Sequence, residues 1–366
     1  MHIGHLWLRD WRSWEHAEVT FSPDGVTAIV GPNGRGKTNI LEAVAWLATL
    51  ESFRYAPSDS LIRSGCTSAV VRAETEIEGR KCLIEGEIRS GRQDRVQVNR
   101  QPLRRRSDLS DVFRVTVFTP DDLDLVKGAP TERRRFLDEF GVARFPSYYS
   151  TRMQLEKVLR QRATLLRQAV GKFSDVIAAT LDVWDVQLAK LGTEVAELRE
   201  GLVLELEPLV QDAYQDLVGE STPLSLTYQR SWDGDLGHAL VRSRREDVRR
   251  GTNSLGPQRD DMEIGIHGMP ARSRASQGEQ RSIALALRLA VHRAVMAATR
   301  SCPVLLLDDV FSELDNRRSS RLLELLPEGQ VLLASASALP GSTRAVGTID
   351  VECVGSTGLA STGRDQ

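Results

Sequence analysis

Apolar and polar residues alternate along much of the first part of the chain. Met1 to Phe21 alternates as a β-hairpin does, and the segments SAVVRAETEIEG, KCLIEGEIRS and DRVQVNRQP repeat the pattern between glycines and charged residues. A period of two places apolar side chains on one face of a strand and polar side chains on the other. The pattern therefore predicts an antiparallel sheet with one solvated face.

Other segments are short and almost wholly apolar, which indicates buried strands. Val26 to Val30 is suited to a buried parallel strand, and VTVF at 115–118, PVLLLDDV at 303–310 and QVLLASAS at 330–337 are similar in length. Thr222 to Gln229 and Met262 to Ile266 are also strand-like. These runs predict a second, buried sheet built from distant parts of the chain.

The stretch from Tyr148 to Glu220 is helical in composition and is interrupted around Gly171 to Ser174. Its second part has apolar residues that step alternately by four and three: Ile177, Leu181, Trp184, Leu188, Leu191, Val195, Leu198 and Leu202. This spacing predicts a long helix with an apolar seam, paired with the preceding helix in a small helical lobe. At 1.5 Å per residue, the helix would reach roughly 65 Å.

Composition narrows the possible functions. The 366 residues exceed what one hydrophobic core usually organises, so two lobes are expected. Net charge is −2, so attraction to nucleic acid requires a local patch. Two groups of arginines are candidates, and a solvated strand edge explains the first of them equally well. They are Arg89, Arg92, Arg95, Arg100, Arg104, Arg105 and Arg106, and then Arg242, Arg244, Arg245, Arg249 and Arg250.

The four cysteines are scattered, with no CxxC pair and no histidine at zinc-ligand spacing, as expected in a reducing compartment. The N-terminus lacks the pattern of a signal peptide, and no apolar run is expected to be long enough for a bilayer. The sequence therefore predicts a cytoplasmic protein without a membrane anchor.

The segment GPNGRGKT joins the strand Val26 to Val30 to an apolar helical stretch, Ile40 to Leu50. Glycines in such a loop let successive N–H groups surround a polyphosphate at the positive end of the helix. Lys37 is predicted to contact the β- and γ-phosphates of ATP, and Thr38 to hold Mg²⁺. The alternative is a glycine turn that matches by chance. The predicted nucleotide-binding residues here are Gly31, Pro32, Asn33, Gly34, Arg35, Gly36, Lys37, Thr38 and Asn39.

Two carboxylates, Asp308 and Asp309, end the apolar run that begins at Pro303. A hard cation prefers oxygen ligands at the carboxyl end of a strand, so Asp308 is the predicted magnesium residue. Asp309 is predicted to orient or deprotonate the attacking water, and with Lys37 completes the predicted catalytic pair. A strand that merely ends in an acidic turn is the alternative.

Asp308 lies 271 positions after Lys37, whereas a compact nucleotide kinase would bring both motifs into one small domain. The helix start SQGEQ, at 276–280, precedes the acidic strand. This design resembles the ABC-type ATPases of chromosome maintenance. That resemblance implies a homodimer formed with ATP, in which Ser276, Gly278 and Gln280 contact the nucleotide held by the partner.

Within that group the chain is similar to the RecF family. The matching segments are GPNGRGKTNILEAV, the SFR of 52–54, FTPDDLDLVKGAPTERRRFLDEF, the LRQRATLLR of 159–167, GPQRDD, SQGEQRSIALALRLA and PVLLLDDVFSELDNRR. The resemblance implies ATP and Mg²⁺ as cofactors and DNA as partner, in particular gapped DNA with a single-/double-strand junction. It also implies cooperation with RecO and RecR in loading a recombinase.

Some positions depart from the wider ABC class. The residue after the magnesium Asp is Asp309 where Glu is usual, Thr119 replaces a Gln, and Ser335 and Ser337 stand where a His follows the last strand. These departures suggest slow ATP hydrolysis suited to a switch.

The predicted fold is α/β: an ABC-type P-loop ATPase head with an antiparallel β-subdomain and an inserted α-helical arm lobe. The head would comprise residues 1–130 and 251–354, the arm lobe 131–250, and residues 355–366 a disordered tail. An SMC-like structural head that tethers DNA is the main alternative, which the short arm disfavours. A small-molecule kinase is a third, for which the sequence shows no acceptor site.

Overall fold

A computed structural model describes residues 1–105, 108–109, 112–299, 301–336 and 345–354. The chain forms two compact units. The first comprises Met1–Asp122, Ala213–Glu220 and the chain from Arg281 onward, and the second comprises Leu123–Asp212 and Ser221–Gln280. The boundaries of these units differ from the segments expected from the sequence. Residues 251–280 belong to the second unit, and Ala213–Glu220, at the end of the long helix, belongs to the first. Residues 355–366, Arg106 and Ser337 lie outside the described residues.

The alternating segments form a six-stranded antiparallel sheet in the first unit, as predicted. Its order is β2-β1-β4-β5-β6-β7. The strands are β1 (His2–Trp11), β2 (Trp14–Thr20), β4 (Ser68–Ile77), β5 (Arg80–Arg89), β6 (Arg95–Val98) and β7 (Gln101–Pro102). On β5, Ile84 and Ile88 are buried while Glu85 and Glu87 face away from the core. Period-two alternation thus separates a core face from a solvated face.

A five-stranded parallel sheet, in the order β14-β3-β13-β12-β8, lies in the same unit. Its strands are β3 (Gly25–Val30), β8 (Val115–Phe118), β12 (Val304–Asp308), β13 (Gln330–Ser335) and β14 (Ala345–Asp350). Every residue of β12 and β13 is buried, which explains their uninterrupted apolar sequences. The edge strand β14 was not predicted, because its sequence AVGTID lacks such a run.

Helix α1 (Lys37–Thr49) packs between the two sheets and is therefore buried on more than one side. Its Trp46 occupies the space that a side chain at Gly86 of β5 would need. Gln330 joins the sheets: its amide accepts a hydrogen bond from the Ile3 N–H at 2.8 Å and donates to the Ile3 carbonyl at 2.7 Å. These contacts fix the antiparallel sheet relative to β13, which pairs with β3, the strand that precedes the phosphate loop.

Helix α8 (Gln277–Thr299) corrects the expectation that no apolar segment is long enough for a bilayer. Within the described part of the chain it is the one helix long and apolar enough, by length and composition, to cross a bilayer. However, 61% of its most apolar stretch is buried inside the protein. A helix covered in this way by its own chain is explained as a core helix. Two short helices, α9 (Asn316–Glu324) and α10 (Val351–Val354), follow.

The second unit is mainly helical, as predicted. It contains α2 (Asp124–Lys127), α3 (Pro130–Arg144), α4 (Tyr148–Gln168), most of α5 (Asp175–Val218), α6 (Leu236–Arg250), α7 (Ala271–Arg274) and a three-stranded sheet of β9 (Leu224–Gln229), β10 (Asp261–Ile266) and β11 (Met269–Pro270). The predicted seam residues Leu181, Leu188 and Val195 are fully buried. Helix α5 has 44 residues.

A buried ionic cluster holds three of these helices together. The Arg162 guanidinium of α4 has no solvent exposure and donates to Asp185 of α5 at 2.8 Å and to Asp247 of α6 at 2.7 Å. Arg244 binds the second oxygen of Asp185 at 2.7 Å. Because each charge has an opposite partner, the cluster avoids the large penalty of an isolated buried ion.

Candidate functional site

The loop between β3 and α1 is shaped by its glycines. Gly31, Gly34 and Gly36 have φ angles of 146°, 78° and 95°, which L side chains rarely adopt. A Cβ at Gly36 would lie 2.8 Å from the Trp14 indole nitrogen, and one at Gly31 would lie 2.5 Å from Val351. Around Gly34, by contrast, a Cβ would meet nothing within 4 Å. The loop is thus backed by packed side chains on one side and open at Gly34.

Lys37 is the first residue of α1, and its side chain folds back over the loop. Its ammonium donates to the Gly31 carbonyl at 2.7 Å and to the Pro32 carbonyl at 3.0 Å. The side chain is buried, so these carbonyls replace the water that the charge would otherwise bind. A phosphate oxygen at the loop could take over these hydrogen bonds.

Thr38 and Asp308 meet across the parallel sheet. The Thr38 hydroxyl donates to the Asp308 carboxylate at 2.8 Å, although the two residues are 270 positions apart. The strands β3 and β12 flank β13 in the same parallel sheet, so their carboxyl ends lie on one edge. The predicted phosphate-loop hydroxyl and the predicted acidic strand end are therefore one site.

This site suits a hard cation. Burial raises the pKa of the Asp308 carboxyl to about 6, against the effect of the Thr38 hydroxyl that donates to it. A bound dication would relieve that penalty, and a hydroxyl oxygen and a carboxylate oxygen are the donors that Mg²⁺ prefers. Among the described residues no group of three or more His, Cys, Asp or Glu side chains forms a metal site. The remaining ligands would have to be phosphate and water oxygens.

Asp309 follows at the end of β12 with a left-handed backbone, φ 50° and ψ 29°. Its N–H donates to the Ala334 carbonyl of β13 at 2.9 Å, which holds this conformation. A non-glycine residue in this region is strained, and such strain is often found where a side chain is presented for function.

The remaining predicted loop residues have different surroundings. Pro32 and Asn33 are exposed, and Arg35 forms an ion pair at 3.5 Å with Glu352. The Asn39 side chain donates to the Ser13 hydroxyl at 2.9 Å. The Asn39 side chain therefore contacts the β1–β2 turn in this structure.

Sequence reasoning missed the two tryptophans that support the loop. The Trp14 indole donates to the Gly36 carbonyl at 3.3 Å, and the Trp11 indole donates to the Asn39 carbonyl at 2.9 Å. Both are buried. Their positions at the end of β1 and the start of β2 were visible in the sequence, but nothing there indicated that this hairpin end packs on the phosphate loop.

The predicted partner-facing residues lie at the start of α8, in the second unit. Ser276 caps this helix: its hydroxyl accepts the Glu279 N–H at 3.3 Å, and the Glu279 carboxylate accepts the Ser276 N–H at 2.7 Å. This reciprocal pair is a capping box. Gln280 donates to the Ala275 carbonyl at 3.1 Å, and Gly278 lies between them on the first turn. Ser276 remains exposed.

Comparisons with known proteins agree with this architecture. A family model described as the RecF/RecN/SMC N terminal domain matches residues 2–336. A solved structure of the recombination mediator protein RecF with ATPrS in the RecFOR pathway is 26% identical, has a TM-score of 0.85, and is matched over 92% of this chain and 93% of that chain. An Smc head bound to the C-winged helix domain of ScpA is similar in fold, with a TM-score of 0.53 at 17% identity, over 94% of this chain and 92% of that chain.

The fold and the site define an ABC-type P-loop ATPase head of the SMC-like class. Two curated relatives narrow the assignment. The DNA replication and repair protein RecF of Streptomyces avermitilis is 42% identical over 353 residues, covering 92% of this chain and 94% of the relative. The RecF protein of Frankia alni is also 42% identical, covering 92% and 93%. The chain belongs to the RecF family.

Proposed function

We propose that this protein binds ATP with Mg²⁺ and uses the nucleotide as a switch for DNA binding in recombinational repair and replication. The observation that carries the proposal is the hydrogen bond of 2.8 Å between Thr38 and Asp308. This hydrogen bond joins the phosphate-loop motif to the acidic motif, whose residues Lys37 and Asp308 lie 271 positions apart in the sequence. The phosphate loop beside it is open at Gly34. The fold similarity to RecF structures with ATP and ATPrS supports the same ligand.

The residues of the loop have distinct proposed roles. Lys37 exchanges the Gly31 and Pro32 carbonyls for phosphate oxygens, and the N–H groups from Asn33 to Thr38 surround the phosphates at the positive end of α1. Thr38 and Asp308 hold Mg²⁺, which would neutralise charge on the β- and γ-phosphates.

We infer that hydrolysis is slow. Asp309 is the proposed base, yet its carboxylate is one methylene shorter than the Glu expected there, and its backbone is held by Ala334. A base that sits too far from the attacking water loses much of its contribution to the rate. A slow hydrolysis step suits a protein that acts through its bound state.

We further propose that ATP closes a homodimer in which Ser276, Gly278 and Gln280 contact the nucleotide of the other subunit. The exposed, capped start of α8 supports this role, because a helix N-terminus is suited to an anionic γ-phosphate. Gapped DNA with a single-/double-strand junction is the proposed substrate, with RecO and RecR as partners in the cytoplasm. The names of the relatives support a place in DNA repair.

The length of α5 argues against a structural tether. At 1.5 Å per residue, its 44 residues extend about 66 Å, far less than the long coiled coils of cohesion-type proteins. Measuring ATPase activity with gapped DNA, blunt duplex and small-molecule acceptors tests the assignment. Stimulation by gapped DNA supports it. Stimulation by a small molecule alone would reject it in favour of a kinase.

A further inference from the structure

The arginines at the edge of the antiparallel sheet have few carboxylate partners among the described residues. Between residues 89 and 105 the chain has six arginines and one aspartate. Arg92, Arg95 and Arg104 are exposed, and none of them has an ion pair or side-chain hydrogen bond to a described residue. Arg89 is the exception, since it donates to the Gln93 carbonyl and lies 3.9 Å from Glu87.

The strand register brings three of these arginines to one end of the edge hairpin. Gln97 pairs with Pro102, and the Leu103 N–H donates to the Val96 carbonyl at 2.9 Å. One step further along this antiparallel register, Arg104 stands opposite Arg95. Arg92 lies in the β5–β6 turn directly before that end. We name this group, Arg92, Arg95 and Arg104, the edge patch.

Three of the five arginines of the second group from the sequence analysis, Arg244, Arg249 and Arg250, have ion pairs with described residues. On α6, Arg244 binds Asp182 and Asp185, and both Arg249 and Arg250 bind Glu246. Arg245 lies over the Phe173 ring, 5.7 Å from its centroid. Ion-paired arginines have less positive potential to offer a polyanion, whereas no arginine of the edge patch has an ion pair with a described residue.

The chemistry of the edge patch indicates what it binds. Residues 80–105 contain no Phe, Trp or Tyr, so this surface has no ring on which an unpaired base could stack. Guanidinium groups at a strand edge suit phosphate oxygens, which they contact without reading sequence. We propose that the edge patch binds the phosphate backbone of duplex DNA, which would be the double-stranded arm of a junction. The proposal rests on the proposed function, because it assigns a surface to the same DNA.

The edge patch is in register with the end of β1 that lies near the phosphate loop, although it is on the opposite edge of the sheet. Arg95 pairs with Glu87, Glu87 with Val70, and Val70 with Arg9 of β1. Three strand spacings of about 4.8 Å place Arg95 roughly 14 Å from Arg9. Two residues after Arg9, the Trp11 indole binds the Asn39 carbonyl at the start of α1. One continuous sheet thus connects nucleotide and DNA sites.

The test compares two triple variants of the full chain. Arg92→Gln/Arg95→Gln/Arg104→Gln removes the edge patch, and Arg245→Gln/Arg249→Gln/Arg250→Gln removes the same charge from α6. Binding to a labelled blunt duplex is measured with ATP and Mg²⁺ across a salt series. Each lost phosphate contact flattens the log–log salt slope by about 0.9, so the edge variant should lose about 2.7 while the α6 variant keeps the wild-type slope. Binding of a fluorescent ATP analogue, unchanged in both variants, shows that they are folded.

Other results would overturn the inference. An unchanged slope in the edge variant, an equal loss in the α6 variant, or a loss confined to single-stranded DNA each rejects the edge patch as the duplex site. In all three cases ATP-dependent DNA binding by the wild type would leave the proposed function standing. A wild-type protein that binds no DNA with ATP would reject both.

Discussion

The Arg12 guanidinium binds both oxygens of the Glu42 carboxylate, with Nε to Oε2 at 2.8 Å and Nη2 to Oε1 at 2.7 Å. Glu42 is on the apolar face of α1 and is completely buried, and the Ser52 hydroxyl also donates to it at 2.5 Å. The ion pair therefore joins the β1–β2 turn to the helix that begins at the phosphate loop.

Removing one partner of this pair should be strongly destabilising. Arg12→Met leaves the Glu42 carboxylate buried with one hydroxyl, and we expect a loss of about 3–5 kcal/mol in the free energy of unfolding. Arg12→Met/Glu42→Met should recover most of that loss, because no uncompensated charge remains. Chemical denaturation measures both. The exposed ion pair between Arg249 and Glu246 provides the control, because Arg249→Met should leave the free energy of unfolding almost unchanged. A double variant no more stable than Arg12→Met would contradict the prediction.

Lys37 and Asp308 should affect nucleotide binding differently. Lys37→Ala removes a direct phosphate contact, so the affinity for a fluorescent ATP analogue should fall by about 100-fold, or about 2.7 kcal/mol. Asp308→Asn should bind the analogue as wild type does in EDTA but should lose the increase in affinity that Mg²⁺ produces. Equal affinities of wild type and Lys37→Ala would show that the phosphate-loop assignment is wrong.

The proposed shared site predicts complementation. Lys37→Met and Ser276→Arg chains should each lack ATPase activity as homodimers. In a heterodimer one composite site carries both changes and the other carries neither, so mixing should restore up to roughly a quarter of wild-type activity if exchange is random. Labelled subunits report the exchange. Activity of Ser276→Arg by itself would reject the shared site.

The capping role of Ser276 can be separated from its role toward the partner. Ser276→Asp keeps a good N-cap for α8, so the unfolding free energy should change by less than about 1 kcal/mol. The added negative charge would face the γ-phosphate, so ATP should no longer drive dimerisation in analytical ultracentrifugation. Ser276→Ala should show the reverse pattern, with lower stability but retained dimerisation. Dimerisation of Ser276→Asp at the wild-type ATP concentration would place the nucleotide contact elsewhere.

His292 should make the fold less stable at acidic pH. Burial lowers the pKa of its imidazole to about 4, and the ring lies 3.1 Å from the Thr116 hydroxyl. Between about pH 6.5 and 4 the unfolded chain therefore binds this proton more readily than the folded chain, so stability falls as pH falls. From pH 7 to 5 the loss should be about 2 kcal/mol.

A His292→Gln variant should lack this part of the pH dependence. The raised pKa of Asp308 acts in the opposite direction, since the folded state then holds its proton more tightly as pH falls below about 6. That contribution is common to both proteins and cancels in the difference. Parallel urea titrations at pH 7 and pH 5 measure it. Equal pH dependence in the two proteins would show that His292 is not buried in its neutral form.

Local patterns in the sequence were sufficient for the elements whose structure depends on near neighbours. The strand, loop and helix from Val26 to Thr49 follow from an apolar run, glycines at positive φ and a helical repeat. The alternation of β4 and β5 and the seam of α5 likewise record burial on one face. These features also indicated the family, because its motifs lie within such elements.

Tertiary structure decided which side chains meet. The placement of Trp14 against Gly36, and the pairing of β14 with β3, depend on residues far apart in the chain. Charge shows this most clearly. Arg162 belongs to a polar-looking helical segment, yet it is fully buried between Asp185 and Asp247, while Arg95 remains unpaired at a strand edge. An arginine's effect depends on whether a carboxylate lies within a few ångströms, and that distance is set by packing and register rather than by sequence spacing.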